Sequence, residues 1–361
     1  MVRGQARQIR PRVHRLTVLS TIESPLETRI VRSGIERLRL NDDNEHILAN
    51  PGAIWAMSKM IETARSSVQT WECDQMGHMN VQFYMAKEAE GMATLASALG
   101  LRTRSEVNAH AVLVPREQHI RFHRELRPGA PFIVQGGVLQ AKSEGVVLYQ
   151  EMNNAATSSL SATFVTYAEW SDLEYRTGLP LPVVAVSKST AYTTELPAHG
   201  AARGLELVPP RPAPLLSEAQ VMGLITTFQG CVQDEHCDRY GYMHTRCYMG
   251  RVSDAIPNLI AQTTGRDRST PDVGGAALEY RFLYRTQARA GDLLMIKSGL
   301  KSVGAKTYVW CHWLFDAESG QCFATAEAVA VSLDLRERKA IEIPPALRSR
   351  LEGLIVPDIS I

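Results

Sequence analysis

One short segment of the chain carries side chains that could do chemistry together. Asp74, Gly77, His78 and Asn80 follow one another just before a helix-like stretch. We expect Asp74 to end the strand before this stretch, where its carboxylate could attack a carbonyl carbon or activate water, and the glycine lets the backbone approach a substrate closely. The N–H groups that begin the helix could hold a carbonyl oxygen as it becomes negative, while His78 and Asn80 position the carbonyl or the water. The segment therefore predicts nucleophilic or general-base chemistry on a carbonyl group.

Each of these residues also has a purely structural interpretation. Asp74 is a common type of turn residue, and Asn80 is a common type of helix N-cap. His78 could be a histidine with satisfied hydrogen bonds, and Tyr84 is expected to pack in the core. Asp74, His78 and Asn80 together, in this order ahead of a buried helix, favour function over a structural role.

The same segment occurs twice in the chain. Residues 68–84 and 232–248 align without a gap at an offset of 164 residues, and seven of the 17 positions are identical. Chance would give about one identity. The identical pairs are Val68/Val232, Gln69/Gln233, Cys73/Cys237, Asp74/Asp238, Gly77/Gly241, Met79/Met243 and Tyr84/Tyr248. The repeat predicts two copies of one domain.

Each copy continues with one helix and four strands. The helices are predicted at 81–99, apolar on all sides and therefore buried, and at 245–263, where Pro257 should kink or interrupt the helix. Short turns join the strands, so each set is an antiparallel meander. The predicted strands are 111–123, 131–141, 145–154 and 160–170, then 276–284, 292–301, 306–316 and 322–333.

The signature in the first copy resembles that of a known family. WECDQMGHMN at 71–80, followed by Tyr84, is similar to the D-x-x-G-H-x-N-x-x-x-Y signature of hotdog-fold acyl-CoA thioesterases of the 4-hydroxybenzoyl-CoA thioesterase type. The resemblance covers about residues 62–172 and 222–336. It implies an α+β chain of two tandem hotdog domains, each a curved antiparallel sheet wrapped round a long central helix.

The resemblance also implies an activity. The chain would hydrolyse acyl-coenzyme A with Asp74 as nucleophile or general base and with Gly77, His78 and Asn80 around it. No cofactor is expected, since coenzyme A is part of the substrate. The site would lie between two hotdogs, whose sheets we expect to join, and the double hotdog would assemble further into an oligomer. Some hotdog thioesterases use a glutamate on the helix, so Glu88 and Glu90 remain alternatives to Asp74.

The second copy departs from the signature. Asp238 and Gly241 are kept, but Tyr242 replaces His78 and His244 replaces Asn80. We expect the second site to be altered or idle; the alternative is an active site in which His244 takes the place of Asn80.

Other functions stay open or are disfavoured by the sequence. Plant acyl-carrier-protein thioesterases are also tandem hotdogs, so an acyl-ACP substrate remains open, as does a non-catalytic acyl-CoA-binding module. The G-D-x-N-P-x-H run of hotdog hydratases, the nearest enzymatic rival, is absent. Cys73 lies between two acids that would raise its pKa, which disfavours a thiolate nucleophile. No metal is expected, because the spacing of the cysteines and histidines of the second copy fits no common zinc pattern: Cys231, His236, Cys237, His244 and Cys247.

Composition limits partners and location. The 39 basic and 38 acidic residues nearly cancel, and no basic stripe suggests nucleic acid. No apolar run is long enough to span a membrane. Six scattered cysteines favour free thiols in a reducing cytosol, so a cytoplasmic location is expected.

The predicted domain boundaries follow from the repeat. Residues 61–172 and 221–345 are the two hotdog domains, 173–220 is a proline-rich linker, and 346–361 is a C-terminal tail. Residues 1–60 begin with five arginines and no acid in the first sixteen positions. We expect this stretch to be a disordered or extraneous extension, with Met57 or Met60 as alternative starts.

Overall fold

A computed structural model describes residues 59–101, 110–265 and 272–361 of the chain. The expected extension therefore lies almost wholly outside the described residues. The first copy contains β1 (Ile61–Ser67), α1 (Val81–Ala98), β2 (Ala111–Phe122), β3 (Pro131–Lys142), β4 (Gly145–Asn154) and β5 (Ser159–Asp172). The second contains β6 (Ile225–Cys231), α4 (Thr245–Gln262), β7 (Val273–Tyr284), β8 (Leu293–Val303), β9 (Thr307–Asp316) and β10 (Cys322–Asp334). Between and after them lie α2 (Val183–Ser189), α3 (Leu216–Val221), β11 (Lys339–Ala340) and α5 (Pro345–Glu352).

All the described strands belong to one antiparallel sheet. Their order is β1-β3-β4-β5-β2-β7-β10-β9-β8-β6, and β11 pairs with β10. Each copy therefore builds five neighbouring strands, and β2 and β7 join the copies with Gln118 opposite Phe282. In the same pairing His119 lies opposite Arg281, 162 positions away. This is also the offset between the bounds of the two strands, so a local twofold axis passes between β2 and β7 at this pair. The prediction that the two sheets join is confirmed, since edge-to-edge pairing satisfies backbone groups that each sheet would leave open.

The two long helices lie on one face of this sheet and contact each other. α1 buries Tyr84, Glu88 and Leu95 along one side. α4 is one helix from Thr245 to Gln262, so of the two effects expected of Pro257, a kink or an interruption, the interruption does not occur. Buried side chains on both sides of the proline, Val252 and Leu259 among them, hold α4 against β6 and β8 despite the missing N–H.

The segment between the copies covers the opposite face of the sheet. Leu205 and Leu207 pack there with Val147, Tyr149 and Val329. Beneath this segment two buried contacts link β2 and β7: the Glu117–Arg281 ion pair at 2.9 Å and the hydrogen bond between His119 and Glu279 at 2.6 Å. The proline-rich segment is thus part of the packed structure.

No helix among the described residues has the length and apolarity needed to cross a membrane.

Candidate active site

The motif of the first copy forms a tight loop between β1 and α1. A 3-10 turn, Thr70–Glu72, separates the strand from Asp74. The prediction that Asp74 ends the first strand is therefore wrong, because the Glu72 carboxylate accepts the Gln69 N–H at 2.9 Å and closes the chain into a turn first. Gly77 has a φ of +74°, a conformation that favours glycine, and its N–H donates to the Asp74 carbonyl at 3.0 Å.

The Asp74 carboxylate is only partly engaged by its surroundings. Its side chain is 19% exposed, and Oδ1 accepts the Met76 N–H at 2.9 Å. Within the described residues no group donates a hydrogen bond to Oδ2, and no lysine or arginine pairs with this carboxylate. Asp74 therefore retains an oxygen that can attack a carbonyl carbon or take a proton from water.

Asn80 caps the start of α1 and ties it to the second copy. Its Oδ1 accepts the Gln82 N–H at 3.1 Å, which caps the helix, and its Nδ2 donates to Ser253 Oγ on α4 at 3.0 Å. No described residue accepts a hydrogen bond from the Val81 N–H. This free N–H at the positive end of the helix could stabilise an oxyanion.

His78 lies between two carboxylates. Its Nδ1 is 3.8 Å from Asp74 Oδ1, and its Nε2 is 3.7 Å from Glu125 Oε1. Glu125 in turn pairs with Arg338, which follows β10 of the second copy. The first copy's site therefore contains residues from both copies, and sequence reasoning missed Glu125 and Arg338.

In the second copy the aspartate is bound by an arginine. Arg176, which follows β5 of the first copy, pairs with Asp238 and stacks 4.6 Å from the ring centroid of Tyr242. Oδ1 of Asp238 accepts the N–H groups of Tyr240 and Tyr242 at 2.8 and 3.1 Å. Both oxygens are therefore engaged, Oδ1 by backbone N–H groups and Oδ2 by the arginine.

The remaining second-copy residues keep the backbone but not the side-chain contacts. Gly241 repeats the positive φ of Gly77, at +81°. His244 occupies the N-cap position of α4, yet its side chain makes no capping hydrogen bond. The backbone turn is thus conserved between the copies while the polar groups around the carboxylate are not.

The two helix glutamates lie in very different environments. Glu90 is on the surface, 3.4 Å from Lys87. Glu88 is fully buried under α1, where its carboxylate accepts from Thr166 Oγ1 at 2.8 Å, Gln118 Nε2 at 2.9 Å and Gln150 Nε2 at 3.2 Å. Burial raises the pKa of Glu88 to about 7, although the three donors oppose the shift. With these three partners, Glu88 is a buried core carboxyl, and Asp74 is the carboxylate open to a ligand.

Two further residues of the motif have structural contacts. Burial, with the carboxylates of Asp74 and Glu72, raises the pKa of the Cys73 thiol and so disfavours a thiolate. The Tyr84 hydroxyl accepts the Leu126 N–H at 3.1 Å inside the core. Within the described part of the chain, no three His, Cys, Asp or Glu side chains are grouped so that they could hold a metal ion.

Three solved structures share this two-copy architecture. A protein from Lactobacillus plantarum, provisionally assigned as an oleoyl thioesterase, has 13% identity and a TM-score of 0.60 and covers 77% of this chain and 98% of its own. The 12:0-ACP thioesterase from Umbellularia californica has 11% identity, a TM-score of 0.57 and coverage of 76% and 94%. An acyl-ACP thioesterase from Bacteroides thetaiotaomicron has 11% identity, a TM-score of 0.56 and coverage of 75% and 98%. At these identities the likeness shows the fold alone.

The sequence itself identifies the family. No curated protein sequence matches the chain. The family model of the thioesterase-like superfamily matches it twice, over residues 68–204 and 232–351, and each match contains one copy of the motif loop and its helix. The chain therefore belongs to the thioesterase-like superfamily, as a tandem pair of hotdog domains.

Proposed function

We propose that the chain hydrolyses acyl-coenzyme A thioesters at one site, built around Asp74 of the first copy. The contrast between the two aspartates carries this proposal. Asp74 has a carboxylate oxygen with no hydrogen-bond partner among the described residues, whereas Asp238 is bound by Arg176. A carboxylate held by an arginine is a poor nucleophile and a poor base, so only the first copy is suited to attack.

The geometry supports two forms of the reaction. Asp74 attacks the thioester carbon, releases the coenzyme A thiolate and forms an acyl anhydride that water then cleaves; alternatively, Asp74 takes a proton from the water that attacks. In both forms the products are the free acid and the thiol. The Val81 N–H is available for the carbonyl oxygen as it becomes negative, and His78 lies beside Asp74 to position the water or the carbonyl.

An acyl-ACP substrate is the second candidate. The proteins from Umbellularia californica and Bacteroides thetaiotaomicron that share the tandem architecture are acyl-ACP thioesterases, and each is covered almost completely by this chain. A hotdog hydratase and a non-catalytic acyl-CoA-binding module are the remaining alternatives. A module has no use for an open carboxylate, so the state of Asp74 argues against it.

The test is a panel of acyl-CoA and acyl-ACP substrates followed by a thiol reagent. We expect thiol release from at least one acyl-CoA, and its loss in Asp74→Ala. Release from acyl-ACP alone would assign the carrier to the second candidate. Binding without release across the whole panel would contradict a hydrolase.

We further propose that the double hotdog assembles into a dimer or trimer, on the family resemblance alone, and that it is cytoplasmic, because its six scattered cysteines favour a reducing compartment. Light scattering should give a multiple of the chain mass of 39.9 kDa. A mass near that of one chain at micromolar concentration would contradict the assembly.

A further inference from the structure

Two arginines occupy equivalent places in the two copies. Arg176 follows β5 and Arg338 follows β10, each four residues after an aspartate that ends its strand. Those aspartates, Asp172 and Asp334, accept backbone N–H groups from the next turn in the same way. The two arginines have almost the same positive φ, 54° and 53°. The turns are therefore copies of each other, and both direct an arginine toward the motif loop of the other copy.

The arginines nevertheless bind different partners. Arg176 pairs with Asp238 itself, whereas Arg338 pairs with Glu125. The second-copy counterpart of Glu125 is Gln287, because the residues that follow them, Leu126 and Ala288, make the same backbone bonds.

Those bonds establish the equivalence directly. Leu126 and Ala288 donate their N–H groups to the hydroxyls of Tyr84 and Tyr248, at 3.1 and 2.9 Å. Their carbonyls accept the N–H groups of the equivalent methionines, Met79 and Met243, both at 2.8 Å. Within the described residues, Oε1 of Gln287 is buried and has no hydrogen-bond partner. A glutamine in this position therefore does not hold the arginine, and the arginine binds the motif aspartate instead.

We propose that Glu125 and Arg338 are positioning residues for the first site. Glu125 holds Arg338 and thereby keeps the arginine away from Asp74, which stays free to act. The same carboxylate lies 3.7 Å from His78 Nε2, so it also orients the histidine that faces Asp74. This inference rests on the proposed function, because it explains how the acting carboxylate is kept open.

The charges of the first site support this arrangement. Asp74, Glu125 and Arg338 are all partly exposed, at 19%, 33% and 25% of their side-chain surface. Glu125 is the nearer partner for the arginine, and a carboxylate competes for a guanidinium far better than a neutral amide does. Removing the charge of Glu125 should therefore convert the first site to the arrangement seen in the second.

Four variants test the proposal, with kcat, KM and melting temperature measured for each. Glu125→Gln should lower kcat by about tenfold or more while KM changes less, since the released arginine then binds the acting carboxylate. Adding Arg338→Gln to that variant should restore most of the loss. Glu125→Asp, which keeps the charge, should have a kcat within about threefold of that of the unchanged chain. The matched control Arg176→Gln, in the second copy, should leave turnover unchanged.

The rescue separates this mechanism from a structural role. A double variant as inactive as Glu125→Gln, or full activity of Glu125→Gln itself, would overturn the proposal. If Asp74→Asn were also fully active, the proposed function would fail as well; if Asp74→Asn were inactive, only the role of Glu125 would fail.

The reverse change can be made if Glu125→Gln does not fold. Gln287→Glu supplies the second copy with the missing carboxylate, and a crystal structure of this variant should show Arg176 on residue 287. Arg176 still bound to Asp238 would contradict the inference.

Discussion

The first copy buries a carboxyl and its three donors beneath its helix, where the second copy buries a valine, a tyrosine, a histidine and an alanine. Glu88 and its donors Gln118, Gln150 and Thr166 correspond in the second copy to Val252, Tyr280, His312 and Ala328, as the helix positions and the strand registers show. Both sets are almost completely buried. A buried carboxyl must find several donors, whereas the valine that takes its place in the second copy needs none.

The motif loops differ in the same sense. The first copy keeps an open carboxylate, a capped helix and a histidine, while the second ties its aspartate to an arginine and packs tyrosines around it. A duplicated domain can retain one demanding site when its partner supplies the other half of the interface. We infer that the first copy carries the chemistry and that the second supports it through Ser253 and Arg338.

The largest expected effect separates the two aspartates. Asp74→Asn should lower turnover by about a thousandfold or more, because it removes the nucleophile or base while keeping the size of the side chain. Asp238→Asn should leave turnover within about threefold and lower the free energy of unfolding by roughly 1–3 kcal/mol, because Arg176 loses its counter-charge. Steady-state rates and thermal melts of the two variants make the comparison.

Either of two results would break this assignment. Loss of activity in Asp238→Asn alone would mean that the second site is the active one. Activity in both variants would show that neither aspartate is essential, and Glu88 or Glu90 would become the carboxylate to test.

Local patterns in the sequence predicted most of the elements. α1 and α4 each end one residue before the predicted position, and the eight meander strands lie within three residues of their predicted limits. These features depend on nearby residues, such as the Arg127-Pro128-Gly129 turn. The location of Asp74 was predicted wrongly because the 3-10 turn before it leaves no apolar pattern.

Contacts between residues far apart in the chain could not be predicted from the sequence. Arg338 and Glu125 are 213 positions apart, and Glu88 meets donors from three different strands. One signal was nevertheless present: DLEYR at 172–176 and DLRER at 334–338 repeat an aspartate and an arginine at the same spacing. Extending the repeat beyond the motif would have singled out both arginines, but not their different partners.

The next effect concerns Glu88, the buried carboxyl of the first copy. Its pKa of about 7 in the folded chain exceeds the ordinary value of 4.5, so the folded state binds the proton more tightly. The resulting stability is fully present below pH 4.5 and is lost as the pH rises to about 7. The free energy of unfolding falls by roughly 3 kcal/mol over this rise in pH. Glu88→Gln, which resembles the protonated form, should therefore gain stability relative to the unchanged chain across this range.

Thermal melts of both proteins between pH 4.5 and 8 would measure this difference. Other groups that titrate in the same range cancel in the comparison, including His312, whose pKa burial lowers to about 4. Glu90→Gln, on the exposed side of the same helix, is the control and should leave the pH dependence unchanged. Parallel curves for Glu88→Gln and the unchanged chain would show that the folded chain does not favour the protonated carboxyl.

The smallest effect concerns the starts of the two helices. Asn80 and His244 have the same N-cap backbone geometry, with φ and ψ of −65° and 142° against −62° and 142°. Only Asn80 makes a capping bond, so Asn80→Ala should lower the free energy of unfolding by about 1 kcal/mol, and His244→Asn should raise it by up to about 1 kcal/mol. Chemical denaturation of each variant would show the two opposite shifts.

Asn80→Asp separates the two contacts of the side chain, since it keeps the cap but loses the donor to Ser253. If the cap alone matters for α1, Asn80→Asp should be as stable as the unchanged chain; a loss equal to that of Asn80→Ala would assign the stabilisation to the contact between the copies.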